Sequence, residues 1–589
     1  MDIEYVSLGA YMLALLCLGG VFAKYNRNLS DFVVSGAKGT WWLVGMSTLM
    51  SGISAFTFTG NASAAFLGGP SLLVIYASNC VAYLICGLFL AAWFRQTRAR
   101  TVADVIRQRF GVAVEQFTVY SGVFLNPIAA AIQLWALAIF TSTVFGFPLT
   151  PTIVVIGMIV MFYSTTGGKW AVMATDFVQG VMMLAITSLV AFLSWRELGG
   201  IDGFREGLQD PQIKADFALF NPIGHFENNR FTIKWAVAIF FMQIYVQLSL
   251  SAAGRFIVAK DGREARRSAW FSFWLMALGS CIWFLPPMAA RILYGQEIMG
   301  DGSGYGADSS YAFIAQRLLP NGLMGIMLAG MFAATMSSMD TGLNGQVGIV
   351  ANNLIPRLRK LLGHTAPLSD QTEMRMCHLL SILFGLLIVG YSLLFSWQRD
   401  FPLFDAYLII GSIIGIPLGL PMLMGLWFKR LPKWSYFVIF GFSVAPSIWS
   451  VLDERIWDNV WLIQDRALWI FLFGLLGTIV SLLFSRYVSS GEQQEIDAFF
   501  KLMKKPVDFE QEVGRSDIDY RQYVILSRFI AAIGVGALLL LLLPNSLAGH
   551  LAIFYISLFI FVVAGILHWG GVRYKRCDLS RSNEAPKKG

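Results

Sequence analysis

The stretch AGMFAATMSSMDTGLN, residues 329–344, sets hydroxyl side chains inside an apolar run. On a helix, Ala334, Ser337, Ser338 and Thr341 fall at i, i+3, i+4 and i+7, so they share one face. Two hydroxyls together with backbone carbonyls make a neutral cluster of hard oxygens. A divalent ion usually demands carboxylates, so this cluster suits a monovalent cation. Serine does not titrate in the useful range, so the pair cannot carry protons by itself. The other reading of the face is close helix packing, with hydroxyls bonded back to i−4 carbonyls. Asp340 adds an ionisable group at the same depth, which is a functional candidate by default in a membrane.

A second segment has the complementary character. LVGMSTLMSGISAFTFTGNASAAFLGGP, residues 43–70, is apolar yet rich in Ser, Thr, Gly and Asn. Small residues allow close helix packing. A Gly-interrupted span can also unwind and turn backbone carbonyls toward a cation. Both readings fit the segment taken alone.

The elements that hold these segments are membrane spans. The chain has 589 residues, mean hydropathy +0.62 and 14% charged residues, far below the quarter or so of a soluble domain. Fifteen apolar spans are expected, near 5–23, 44–67, 72–94, 116–143, 150–165, 171–195, 233–252, 270–294, 322–350, 378–397, 405–428, 434–451, 467–485, 523–543 and 550–570. The first run has acidic residues before it and Lys24 and Arg27 after it, the reverse of a cleaved signal peptide, so it is expected to be retained. Loops alternate in basic charge. One set holds 33 of the 44 Lys and Arg, which puts the N-terminus outside and the C-terminus in the cytoplasm of a cell-membrane protein, inner or plasma. The +8 net charge is thus a topology signal and points to no nucleic acid.

The six cysteines form no outer-face pair, so no structural disulfide is suggested. The five histidines show no metal-ligand spacing. The loop 486–522 contains EIDAFFKLMKKPVDF, which reads either as an amphipathic helix on the membrane surface or as a solvated linker. No appended domain of a hundred or so residues is seen, and no protein partner is indicated beyond the lipid bilayer.

GLMGIMLAGMFAATMSSMDTGLN resembles the signature of the sodium:solute symporter family. STLMSGISAFTFTG is similar to the family's first core helix, STTGGKWAVMATDFVQG to its Thr-Asp segment, GRFIVAKDGREARRSAW to the stretch after the sixth core helix, and GSIIGIPLGLPMLMGLWFKR to the tenth. The resemblance covers about residues 5–485. It implies an all-α polytopic membrane protein with the leucine-transporter type of 5+5 inverted repeat and about 15 transmembrane helices. The repeats would be 44–195 and 233–428, joined by an outer loop 196–232. Residues 1–43 carry the first helix, 429–485 two peripheral helices, and 523–589 two more after the 486–522 loop. The first core helix of each repeat would be broken at the midplane.

The resemblance also implies Na+ as the coupling ion and uptake of a small organic solute by alternating access, with no enzymatic activity. By position, Na+ would be held by the carbonyls of Met50, Ile53 and Ala334 and the hydroxyls of Ser337 and Ser338. A second Na+ site of some members would fall on Asp176, Asp340 and Thr341. Asp340 departs from the hydroxyl pattern there, so two carboxylates would bind Na+ more strongly, share a proton or pair with a base. Candidate solute-lining groups are Thr57, Asn61, Tyr76, Asn79, Asn126, Gln133, Gln243, Gln247 and Tyr407. All are neutral, and the spans near 72–94 and 116–143 contribute no Lys or Arg to pair with an acid. This favours a neutral polyhydroxylated solute such as a sugar. A monocarboxylate or amino acid is the alternative, since a helix N-terminus can bind a carboxylate unaided. Tyr76 and Ser251 stand where the family's sugar carriers have Glu and a gating Tyr. A channel or a membrane sensor are the remaining classes.

Overall fold

A computed structural model describes residues 39–248, 254–300, 306–363, 369–397, 403–512 and 518–584, with positions 6, 9 and 13; within these, some side chains, those of Asp340 and Thr341 included, are outside the description. The expected first span and Ser251 also fall outside it. Ten helices among the described residues are long and apolar enough to cross a membrane. Three more apolar helices, Leu149–Phe162, Ile233–Leu248 and Leu323–Met339, are shorter. The expected fifteen spans therefore do not reappear one for one. The second is interrupted, and its second half runs through the turn Gly69–Leu72 into the third.

The helices that position the site are α1 (Trp41–Ser51), α2 (Ala55–Phe58), α3 (Gly60–Gly68), α4 (Leu73–Ile85), α5 (Val102–Phe110), α6 (Val112–Phe145), α7 (Leu149–Phe162), α8 (Val172–Glu197), α9 (Ile233–Leu248), α10 (Gly262–Trp283), α11 (Leu323–Ile349), α12 (Asp370–Trp397) and α13 (Leu403–Ile410). The chain continues through α14 (Ile416–Trp427), α15 (Ser435–Trp457), α16 (Ile463–Leu483), α17 (Ser490–Lys504), α18 (Ile518–Leu539) and α19 (Leu547–Glu584). They sort into two groups. In one, α1 packs on α10, α10 on α4 and α4 on α9. In the other, α8 packs on α11 and α7 on α12, and both α11 and α12 pack on α6. The groups meet where α1 and α2 lie against α11 and where α1 lies against α8.

Small residues permit that meeting. A Cβ on Gly45 would stand 2.8 Å from the Ser268 carbonyl oxygen, and one on Gly180 would stand 2.4 Å from the Met46 sulfur. Both contacts are closer than a real side chain tolerates, so these glycines set the approach of α1 to α10 and α8.

The interruption after α1 has a local cause. Gly52 caps α1, its N–H reaching the carbonyls of Leu49 and Met50. Ser54 is extended (φ −151°, ψ −177°) and restarts the helix with a capping box to Thr57. A second irregularity follows at Thr59 (φ −122°, ψ −82°). The last carbonyls of α1 are thereby left without a following helical turn to occupy them.

The loops segregate to two ends as their charges predicted. At the basic end, Gly39 N–H donates to Val258 O (3.0 Å), Arg95 Nε to Ala259 O (2.6 Å) and Asn353 Nδ2 to Asp104 Oδ1 (3.2 Å). At the other end, Ser71 Oγ donates to Ala218 O (2.9 Å), Gln464 Nε2 to Asn228 O (3.0 Å) and Asn321 N–H to Asn545 Oδ1 (3.0 Å). Each bond joins segments assigned to the same side from sequence.

Neither sequence reading of 486–522 describes its observed packing. Part of it is the helix α17, whose Ile496, Phe499, Phe500 and Met503 are buried in a cluster with α5 and α14 residues of the protein's own basic end. Lys433 N–H donates to Glu492 (2.7 Å), Lys429 pairs with Asp497 (2.9 Å), and Arg98 forms a two-point pair with Glu512, both bonds 2.7 Å. The Arg109 guanidinium lies 5.6 Å from the centre of the Phe500 ring. The apolar face that suggested lipid is covered by protein instead.

Candidate functional site

The open end of α1 faces α11. Ser338 Oγ lies 3.3 Å from the Met50 carbonyl oxygen, 3.1 Å from that of Ile53, 3.4 Å from that of Ser51 and 3.2 Å from that of Ala334. Five oxygens from two helices thus converge. One turn away, Thr335 Oγ1 accepts the Ala55 N–H (3.0 Å), tying α11 to the restarted helix. The negative end of the α1 dipole points at the cluster, which favours a cation there. No carboxylate belongs to this set, so it is neutral.

Ser337 points differently. Its hydroxyl is buried, has no hydrogen-bond partner and lies beside Asp176 of α8. Asp176 is fully buried and pairs with Arg255 across 3.1 Å. Ser47 of α1 bridges them, donating to the carboxylate and contacting the guanidinium. The second carboxylate oxygen, Oδ1, has no partner. Asp176 thus pairs with a base, while Asp340 and Thr341, the other members of that expected site, have side chains outside the description. Neither Arg255 nor Ser47 stood among the candidates, although both lie in segments that carried the resemblance.

Five of the nine solute candidates come together beyond the break. Asn61 Nδ2 donates to the Tyr76 hydroxyl (2.9 Å), and Thr57 lies beside the same hydroxyl. Tyr407 lies beside Gln243 and stacks obliquely on Phe56, ring centres 4.8 Å apart. Phe284 lies 4.6 Å and Trp283 6.2 Å from the Tyr76 ring. Asn79 sits one turn along α4 with its Oδ1 buried and unpartnered, and Gln133 Oε1 on α6 is likewise unpartnered. Gln247 approaches Gly52 at the break. Asn126 does not join them. It is exposed beside Gly122 and Gln346, about two turns down α6 from Gln133. The rings of Phe56, Trp283 and Phe284, which pack against Tyr407 and Tyr76, were not among the candidates, because apolar rings in a span look like any other core residue.

Access to the cluster is unequal. Gly52 and Gly342 are exposed, whereas Thr57, Asn61, Tyr76 and Gln243 are all buried. Above the buried groups an ion pair joins Arg230, from the loop before α9, to Asp405 of α13. Asp308, in the turn Gly306–Ser309, stands near both. Burial pushes its carboxyl up to about 6, against the pull of the Ser63 hydroxyl, while Asp405 adds to the rise and Arg230 opposes it.

The family profile of the sodium:solute symporters matches residues 32–434. The chain belongs to that family. The sodium/sialic acid symporter NanT of Aliivibrio fischeri is 23% identical over 520 residues, which cover 84% of this chain and 96% of that protein. Mouse sodium/glucose cotransporter 1 is 23% identical over 487 residues, covering 76% and 71% of the two chains. In three dimensions the chain is similar to a substrate-bound, outward-open Na+-coupled sialic acid symporter, with TM-score 0.70 and 20% identity over 83% of this chain and 98% of that one. The leucine-transporter type of fold expected from sequence is therefore the fold of this symporter. It is a multi-pass membrane transporter, not an enzyme, and Na+ is the ion that drives solute movement.

Proposed function

We propose that Na+ binds between α1 and α11, held by the carbonyls of Met50, Ile53 and Ala334 and the hydroxyls of Ser337 and Ser338. The observation that carries this reading is the Ser338 hydroxyl, which lies 3.1–3.4 Å from four carbonyl oxygens on the two helices. Such oxygen spacings match a shell about 2.3–2.6 Å from a hard cation of calcium-like size, and a neutral shell selects the monovalent ion. With Na+ bound, the Ser338 proton turns outward and the oxygen faces the ion. The Ser337 hydroxyl lies beside Asp176 and would have to turn from it to join.

Na+ favours the arrangement in which both helices supply oxygens, and the restarted helix α2 carries Phe56 and Thr57 of the solute group directly beyond them. Binding of ion and solute are coupled through that one rigid connection. Each Na+ supplies about 2.3 kcal/mol at 100 mV plus about 1.4 for a tenfold gradient, enough for several hundredfold accumulation of a neutral solute. Asp176 already has Arg255 as its cation, which favours one Na+ per cycle over two.

The solute in this reading is a neutral polyhydroxylated molecule, a sugar in the first instance. Thr57, Asn61, Tyr76, Gln243 and Tyr407 offer neutral donors and acceptors, and Phe56 and Trp283 offer flat apolar faces. The neighbouring cation, Arg230, is committed to Asp405. An acidic solute, a monocarboxylate, amino acid or sugar acid, would have to draw Arg230 off that partner, and this is the second reading. With basic loops inside, the closed end faces outward and the exposed Gly52 and Gly342 line a path to the cytoplasm.

The test is uptake into proteoliposomes of labelled sugars, sugar acids, amino acids and short carboxylates, with Na+ or choline outside. Saturable, Na+-dependent uptake of a neutral polyol is expected. Uptake confined to acidic solutes would overturn the neutral reading.

A further inference from the structure

A groove of about 890 Å³ runs along the outer face of α12, away from the ion and solute groups. Val350, Leu354, Leu380, Leu387, Tyr391 and Trp397 mark its course. From Leu380 to Trp397 a helix rises about 25 Å, most of the roughly 30 Å hydrocarbon thickness of a bilayer. The walls are almost wholly apolar, and Leu387, Leu394 and Trp397 are exposed. A slot of this length and chemistry in a membrane protein is filled by hydrocarbon.

The basic end of the slot has a feature that ordinary lipid-facing surface lacks. Arg357, Arg359 and Lys360 lie on the short helix Ile355–Leu361, one to two turns beyond Leu354. Arg375 lies on α12, a little over one turn before Leu380. Arg357, Lys360 and Arg375 are exposed, and none of the four basic side chains has an ion pair or side-chain hydrogen bond among the described residues. Elsewhere at this end Arg98, Lys429 and Lys433 are all paired with acids. Asp370 and Glu373 are the two acids of the stretch 355–375, too few to neutralise the cluster.

We infer that this slot and its basic mouth form a site for one anionic phospholipid, with an acyl chain along α12 and the phosphate among Arg357, Arg359, Lys360 and Arg375. Each basic side chain near an anionic membrane surface contributes about 1 kcal/mol, and apolar contact along the slot adds a term that any lipid shares. The charge bias of the loops puts this mouth at the cytoplasmic leaflet, where anionic lipids are expected. The site borders α11 through Val350 and Leu354, which lie on the continuation of the helix that carries Ser338. A lipid there touches an element that shapes the ion site.

Two variants separate headgroup from chain. Gly390 lines the slot, and a Cβ there meets nothing within 4 Å. Gly390→Leu places a side chain in the slot from a Cβ position that meets no neighbour, and it improves helix propensity. The combined Arg357→Gln, Arg359→Gln, Lys360→Gln and Arg375→Gln variant removes the mouth. The measurement is retention of dioleoyl phosphatidylglycerol against dioleoyl phosphatidylcholine by the full-length protein, read by native mass spectrometry after delipidation. The wild type should prefer phosphatidylglycerol about tenfold or more. The four-Gln variant should lose the preference, Gly390→Leu should lose occupancy by both lipids, and inorganic phosphate should not compete. Equal retention of the two lipids by the wild type would overturn the inference. So would unchanged phosphatidylglycerol retention in Gly390→Leu, a variant that keeps every charge, or displacement of the lipid by phosphate alone.

Discussion

Ser338 of α11 holds its hydroxyl 3.1 Å from the carbonyl oxygen of Ile53, a residue 285 positions earlier in the chain. The contact crosses the gap where α1 ends and α2 begins. It exists because Gly52 stops one helix and Ser54 starts the next. The proposed ion site and the proposed solute group are consequently two sides of a single break.

The pair Asp176–Arg255 gives the first prediction. Its members are buried, so removing one leaves an uncompensated charge, which costs several kcal/mol. Asp176→Asn should lower transport strongly and also lower thermal stability, while the Na+ dependence of the remaining activity keeps a Hill coefficient near one. Solute-induced currents at varied Na+ and membrane potential measure this. A wild-type Hill coefficient near two, with a reversal potential shifting as for two Na+, would show that Asp176 serves an ion instead of Arg255.

In the proposed orientation, with the closed end outward, Asp308 should make closure pH-sensitive. Its carboxyl is raised to about 6 in the closed arrangement and would relax toward the ordinary carboxylate value near 3.9 once open to water. Closing therefore takes up a proton. The contribution of Asp308 to closure is fully present below the ordinary value and is lost as pH rises through about 6. Accessibility of a cysteine placed near Asn61 to an impermeant external reagent should fall as outside pH drops through that window. Asp308→Asn should remove that dependence. A dependence that persists unchanged in the variant would assign it elsewhere.

The α17 segment is held by a buried apolar face more than by its ion pairs. The Arg98–Glu512 pair is partly exposed and contributes on the order of 1 kcal/mol or less, whereas truncating a buried Phe costs about 3–5. Phe500→Ala should release the segment, and Arg98→Gln should loosen it only slightly. Amide hydrogen exchange over residues 490–512 reads the difference. Equal exchange in wild type and Phe500→Ala would contradict docking onto the protein.

Much of this was legible in the residues. The break was announced by Gly52 among Ser and Thr, and the oxygen cluster by Ser338 at helical spacing with Ala334, whereas Ser337, expected on the same face, lies beside Asp176. Loop charges grouped the loops as the contacts group them, because basic residues resist crossing a membrane. Other features were hidden for physical reasons. Asp176 signals an intramembrane charge, but its partner Arg255 is 79 positions away and only folding brings them together. Phe56, Trp283 and Phe284, which pack against Tyr407 and Tyr76, carry no mark that separates them from any other core ring. Asn126 carries the same mark as Gln133, yet it lies about two turns nearer the basic end. The α17 face has the periodicity of a membrane-surface helix, and periodicity does not say whether lipid or protein covers it.

The most direct test of the central claim is the Na+ concentration needed for half-maximal uptake, compared between wild type and Ser338→Ala in proteoliposomes at matched protein content. Losing one ligand oxygen to a charged partner costs about 1.5–3 kcal/mol, so the requirement should rise about 10- to 100-fold with little change in thermal stability without Na+. An unchanged Na+ requirement in Ser338→Ala, or wild-type uptake that proceeds equally well in choline, would contradict it.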